Sequence, residues 1–248
     1  KRQTVINYKE KNMVYGVILA GGVGSRMGGD KPKQYLNLKG RPIIIYTIEK
    51  FFACPGIDKI IVLCPAQWEE HTKDLIKKYI SPAQDKITVA CGGTTRNETI
   101  MNAVDIIDKN GDLNDDTIIV THDSVRPFIT HRIIMENIEA CRKFDACDTV
   151  VKATDTIVEA ENGEFISAIP NRNYMYQGQT PQSFKAVKLK ALYNSLTEEE
   201  KEILTDAAKI FVLKGEKVAL VEGENFNIKI TYPYDMRVAK SLLEDEEE

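Results

Sequence analysis

The stretch Leu19-Ala20-Gly21-Gly22-Val23-Gly24-Ser25-Arg26-Met27-Gly28-Gly29-Asp30-Lys31-Pro32-Lys33-Gln34-Tyr35 decides how the rest of the chain is read. It follows an apolar run, Tyr15 to Leu19, that reads as a buried strand because it is continuous, rich in β-branched residues and closed by glycine. Five glycines then fall within nine residues. Each costs backbone entropy on ordering and has no side chain to bury, so this density makes sense where a backbone must come close to a ligand. Arg26, Lys31 and Lys33 add positive charge to the same loop, so the ligand is read as an anion with several phosphates. Ala20, Gly21, Gly22 and Gly24 are the positions expected to contact that anion. The plain alternative is a tight strand-to-helix turn with incidental charges.

Two familiar phosphate loops do not fit. A G-x-G-x-x-G fingerprint would use Gly22 and Gly24 but then meets Met27, and about 20 residues on, where an acidic residue should hold a ribose, the chain reads Arg-Pro-Ile-Ile-Ile. The nearest Walker frame, Gly24 to Gly29, continues as Asp30-Lys31-Pro32. A nicotinamide-dependent oxidoreductase is therefore disfavoured.

The 248 residues, 43% of them apolar, suffice for one substantial α/β core. A net charge of -4 argues against nucleic acid or an anionic membrane as the main partner, so phosphate binding must come from local Arg and Lys clusters. The polar start, Lys1 to Asn12, lacks the apolar core of a signal peptide, and no apolar run reaches membrane-spanning length. A cytoplasmic protein is expected. The five cysteines show no metal-ligand spacing and read as buried free thiols.

Along the chain, strand and helix patterns alternate with short connections. Strands are expected at 59–64, 87–91, 117–121, 149–153, 217–221 and 227–231. Helices are expected from Pro42 to Cys54, over 66–79, after Thr95, from Thr130 to Cys141, from Ser183 onward, from about Leu204 and from Pro233. This pattern implies a three-layer, Rossmann-like α/β fold around a mostly parallel, mixed sheet, whose ligands gather beyond the carboxyl ends of the strands. Residues 1–12 read as a disordered lead, 13–243 as one domain and 244–248 as an acidic tail. Within the domain, 154–180 changes character: short alternating segments flank Asn162-Gly163, a strong hairpin signal. A lone hairpin is marginal in water, so this β-arm is expected to pack on a partner, most simply a second copy of the chain.

Two further clusters carry chemistry. Gly92-Gly93-Thr94-Thr95-Arg96-Asn97-Glu98-Thr99 offers glycine amides, a cation and a hydroxyl at one helix start, although Gly-Gly before a helix is often just a turn. The fourth strand runs into His122-Asp123-Ser124-Val125-Arg126-Pro127. Asp123 and Arg126 form either a plain ion pair or a site in which Asp123 holds Mg²⁺ on a triphosphate and Arg126 orders the loop. His122 is more simply structural than a base.

Ala-Gly-Gly-x-Gly-x-Arg-Met followed by Pro-Lys-Gln resembles the signature of polyol-phosphate nucleotidyltransferases, in particular the cytidylyltransferases that make CDP-ribitol or CDP-methylerythritol. The resemblance covers about Val14 to Ala239 through six separated motifs. It implies that backbone groups at Gly93 and Thr94 and the Thr99 hydroxyl hold cytosine, that Arg96 and Ser124 join the nucleotide site, and that Arg26, Lys33 and Lys229 are catalytic. It also implies that Arg126, Thr156, Arg172 and Thr180 bind the acceptor, with the arm supplied by the neighbouring subunit of a homodimer. The family's motif is close to His-Asp-Ala-Ala-Arg-Pro, so Ser124 and Val125 are departures that leave Asp123 and Arg126 in place. Leu-Ala-Gly-Gly, Val-Arg-Pro-Phe, Tyr-Gln-Gly-Gln-Thr-Pro-Gln-Ser-Phe and Leu-Thr-Asp-Ala look more like the ribitol 5-phosphate enzymes of teichoic-acid or capsule assembly than the methylerythritol 4-phosphate enzymes of isoprenoid synthesis. A nucleotide-binding protein without catalysis would keep the glycine loops but would not need Lys33, Asp123 and Lys229 together.

Overall fold

The computed structural model describes residues 12–22, 31–80 and 85–245. Its centre is β1 (Val14–Leu19), flanked by β4 (Lys59–Cys64) and β5 (Ile87–Cys91) on one side and by β6 (Ile118–Asp123) on the other, all parallel. Beyond β6 the direction reverses. The long β8 (Tyr176–Lys185) lies antiparallel between β6 and β7 (Ala146–Lys152), and β9 (Ala219–Glu222) closes that edge parallel to β7. A two-residue pair, β2 (Asn37–Leu38) with β3 (Arg41–Pro42), stands apart.

Every residue of β1 is buried, which explains its unbroken apolar run: both faces of the strand are covered. Val14 and Ile18 face a layer built by α1 (Ile43–Ala53), α2 (Glu69–Tyr79) and α4 (His131–Phe144). Tyr15, Val17 and Leu19 face α3 (Arg96–Lys109), α5 (Ala186–Asn194) and α7 (Ala208–Leu213). A short α6 (Glu198–Glu202) precedes α7, and α8 (Pro233–Asp245) packs with Leu38, Ile43, Val125, Phe128 and Ile230 in a third, smaller cluster. No described helix is long and apolar enough to cross a membrane.

Several sequence expectations need correction. Ser183 does not begin a helix: β8 continues to Lys185, because its register with β6 (Ile119 opposite Phe184) and with β7 (Ala146 opposite Phe184) buries it between two strands. Residues 227–231 join no ladder; the Asn227 amide bonds the Glu224 carbonyl (3.0 Å), and the Ile230 amide bonds the Val125 carbonyl (2.9 Å) and ties the segment to the loop after β6. The arm forms a turn at Gly163, where φ is +73°, but the two flanking strands reduce to a single bridge between Glu159 and Ala168. Its Phe165, Ile166, Ile169 and Tyr174 side chains are exposed. Cys91 is exposed, while the other four free cysteines are buried. Glu244 belongs to α8 rather than to a separate tail.

Candidate active site

Leu19, Cys91 and Asp123 end β1, β5 and β6, three of the four parallel strands, and a cleft of about 400 Å³ opens beyond that end of the sheet. Gly21, Gly22, Lys33, Gly93, Thr94, Arg96, Thr99, Asp123, Ser124 and Lys229 line it, so ten of the expected positions meet in one place. Ala20 is buried beside them. Gly24 and Arg26 lie outside the described residues. Arg126 and Thr180 are buried and absent from the lining, while Thr156 and Arg172 are exposed on the arm, where Arg172 donates to the Thr154 carbonyl (2.8 Å).

Lys33 sits in a single 3-10 turn, Lys33–Tyr35, that is held from both sides. Gln34 donates to the Ala20 carbonyl (2.6 Å), tying the turn to the end of β1. Tyr35 stacks on Trp68 at 4.7 Å and shares a hydrogen bond with Thr72 (2.8 Å). Only 8% of Lys33 is exposed although it lines the cleft, so its stem is packed there.

At the second edge, Thr95 caps α3 through a reciprocal capping box. Its hydroxyl accepts from the Glu98 amide (3.1 Å), and the Glu98 carboxylate accepts from the Thr95 and Thr94 amides (3.1 and 2.9 Å). The Thr99 hydroxyl accepts from the Gly93 amide (3.0 Å) and donates to the Thr95 carbonyl (2.8 Å). The Gly93 and Thr94 amides and the Thr99 hydroxyl are thus already bonded within the loop, so any ligand group that binds them has to compete with these bonds. Gly93 has to be glycine for close approach: a Cβ there would stand 2.5 Å from the Glu98 Cβ and 2.9 Å from the Glu98 carbonyl carbon.

Asp123 is the electrostatic centre. Arg96 bonds its Oδ1, Lys229 Nζ stands 2.9 Å from Oδ2, and Arg126 Nε is 3.8 Å from Oδ2. Burial would push this carboxyl up, yet the surrounding Arg96, Lys229 and Arg126 charges hold it far below the usual carboxylate range. It is therefore an anion throughout the range in which phosphate chemistry runs. Ile230 is buried, and Ile228 packs against the same small cluster, so Lys229 between them turns to the opposite side, towards the cleft, even without a sheet. Arg126 donates to the Asn227 carbonyl (2.8 Å), and Asn227 donates in turn to the Thr180 carbonyl (2.9 Å).

Among the described residues no group of three His, Cys, Asp or Glu side chains could cage a metal, and Asp123 is the carboxylate that lines the cleft. One carboxylate suits Mg²⁺, which keeps most of its coordination for phosphate oxygens and water. Sequence reasoning missed Leu19, Gln34, Thr95, Val125 and Thr231 on the lining, and the anchoring role of Asn227. Gln34 was legible within Pro-Lys-Gln; Asn227 had no local signal.

Residues 14–245 match the family model for 2-C-methyl-D-erythritol 4-phosphate cytidylyltransferase (IspD). Among solved structures, the chain is similar to the 4-diphosphocytidyl-2C-methyl-D-erythritol synthase of Anaerococcus prevotii, with 29% identity, a TM-score of 0.77 and 94% and 96% of the two chains covered. It is also similar to the 2-C-methyl-D-erythritol 4-phosphate cytidylyltransferases of Francisella tularensis (27%, TM-score 0.76, 92% and 99% covered) and Thermus thermophilus (25%, TM-score 0.70, 94% and 99% covered).

Proposed function

The chain belongs to the IspD family of cytidylyltransferases, and we propose that it transfers the cytidylyl group of CTP to D-ribitol 5-phosphate, giving CDP-ribitol and pyrophosphate. A phosphate monoester has its second pKa near 6, so the acceptor oxygen is already ionised at neutral pH and needs no general base. It attacks the α-phosphorus; the new O–P bond forms as the bond to the β-phosphate breaks and pyrophosphate leaves. The obstacle is charge: a dianion approaches a triphosphate, and negative charge grows on the α-phosphate oxygens. Alignment and fixed cations are the means by which such transfers are accelerated.

The observation that carries this reading is the convergence of Lys33, Arg96 and Lys229 around Asp123 at one rim of the sheet. Lys33 and Lys229 are assigned to the α-phosphate, Arg26 to the triphosphate, and the glycine edge with Thr99 to the base. Nucleotidyltransferases of this kind typically use a divalent cation, which would supply further neutralisation of the phosphates when bound, with Asp123 as its protein ligand. Arg126, Thr156, Arg172 and Thr180 are assigned to the acceptor side. Thr156 and Arg172 would be delivered by the arm of a second copy, whose exposed apolar side chains suit burial in a dimer.

Support for ribitol 5-phosphate lies in the four sequence stretches quoted above, from Leu-Ala-Gly-Gly to Leu-Thr-Asp-Ala. A second reading, methylerythritol 4-phosphate as acceptor, is favoured by the names of the matching family model and of the similar solved structures. Incubation with Mg²⁺, CTP and each acceptor in turn, with pyrophosphate as the readout, separates them. Faster release with ribitol 5-phosphate is expected, and a preference for methylerythritol 4-phosphate overturns the first reading.

A further inference from the structure

Beneath Asp123 lies a closed ring of hydrogen bonds among four residues from three separate parts of the chain. His122 Nε2 is 3.1 Å from the Arg126 carbonyl, and His122 Nδ1 is 2.9 Å from the Thr180 hydroxyl. Asn227 Nδ2 meets the Thr180 carbonyl at 2.9 Å, and Arg126 meets the Asn227 carbonyl at 2.8 Å. All four side chains are buried, His122 and Asn227 completely.

The donors and acceptors can be assigned around the ring. A carbonyl only accepts, so Nε2 carries the proton that faces Arg126. A neutral imidazole has one N–H, so Nδ1 accepts the Thr180 hydroxyl hydrogen. The Thr180 oxygen then keeps its lone pairs for the Asp123 amide, which lies 3.2 Å away. The other tautomer would set a bare Nε2 against a carbonyl oxygen and leave Thr180 without an acceptor.

Two catalytic candidates depend on this ring. Asp123 follows His122 directly and is bonded through its amide to Thr180. Lys229 lies between Asn227, inside the ring, and Ile230, whose amide bonds Val125. We propose that His122 is a positioning residue, locked as the Nε2–H tautomer, that fixes Asp123 and Lys229 relative to one another through Thr180, Asn227 and Arg126. Its kinetic consequence rests on the cytidylyl-transfer reading; its tautomer does not.

The test has two arms. With only three histidines in the chain, ¹⁵N imidazole spectra of the full protein are assignable by comparison with a His122→Phe variant. The Nε2–H pattern is expected for His122, and an Nδ1–H pattern overturns the proposal whatever the enzyme does. In the second arm His122→Phe keeps a ring beside Phe51, now 5.3 Å away, but makes neither bond. His122→Asn keeps an acceptor for Thr180, and His122→Gln keeps a donor for the Arg126 carbonyl. For folded His122→Phe, kcat should fall roughly tenfold to a hundredfold while KM for CTP stays near wild type, since a small misplacement of reacting groups costs rate. His122→Asn or His122→Gln should recover part of that loss. A folded His122→Phe enzyme with wild-type kcat overturns the positioning role. If the wild type turns over neither acceptor, the functional reading has failed while the spectroscopic arm still decides the ring.

Discussion

Replacing Asp123 by Asn keeps shape and removes one charge from the middle of three cations. Arg96, Arg126 and Lys229 then face one another with no anion among them. Leaving one side of a buried ion pair uncompensated costs about 3–5 kcal/mol. The lower end applies here, because the Arg96 and Lys229 side chains are 26% and 43% exposed and can turn towards water, whereas that of Arg126, at 11%, cannot. At roughly 2–4 °C per kcal/mol for a chain of this size, a loss of about 3 kcal/mol lowers Tm by roughly 6–12 °C. An anion should restore stability. In metal-free buffer, pyrophosphate at about 100 times its Kd stabilises either protein by about 2.7 kcal/mol, and the variant, with one more uncompensated cation, should reach that point at lower concentration. Thermal melts across a pyrophosphate titration with chelator present provide the assay. A variant that melts with the wild type, or that binds metal-free pyrophosphate no more tightly, refutes the view that this carboxylate offsets cations which otherwise seek phosphate.

Lys229→Ala should abolish most turnover with little change in Tm, because the side chain is partly exposed and only its charge reaches Asp123; near-normal pyrophosphate release would remove Lys229 from the chemistry. Gly93→Ala should raise KM for CTP and leave far-UV dichroism unchanged, since the added methyl displaces the Glu98 backbone that shapes the base edge; an unchanged KM would contradict that geometry. Burial pushes the Asp148 carboxyl from 3.8 to about 7, with the Asp206 charge adding to the rise. The folded chain therefore holds a proton there that the unfolded chain releases, and its stabilising effect is full below pH 3.8 and lost as pH rises towards 7. Relative to Asp148→Asn, wild-type stability should fall by up to about 4 kcal/mol across that interval, at about 1.36 kcal/mol per pH unit. Urea melts at both ends of the range check this, and parallel pH profiles would rule it out.

The parts of the fold legible in sequence are those in which one physical pattern dominates. β1, β4 after Lys59 and the first half of β6 are apolar runs because both faces are covered, and α3 is announced by Thr95 and Glu98 at capping-box spacing. β8 was missed because Tyr176 to Lys185 contains Gly178, Pro181 and three glutamines, a composition that propensity places outside strands. Tertiary pairing with β6 and β7 overrides that preference. Residues 227–231 failed in the opposite sense: the Ile228 and Ile230 alternation is real, but no neighbouring strand stands beside it. The cleft was legible where motifs are contiguous, at Gly21-Gly22, Lys33, Gly93 to Thr99 and Asp123. The ring beneath it was not, since Thr180 and Asn227 approach His122 and Arg126 only after β8 has inserted.

Arg126 and Asn227 are 101 positions apart, and His122 and Thr180 are 58 apart. The ring beneath the cleft therefore cannot close until the chain from His122 to Asn227 is in place, β8 included. Partly folded chains should be blind to nucleotide, and nucleotide should act as a clamp on the completed molecule alone, making its occupancy a gauge of how much protein has finished folding.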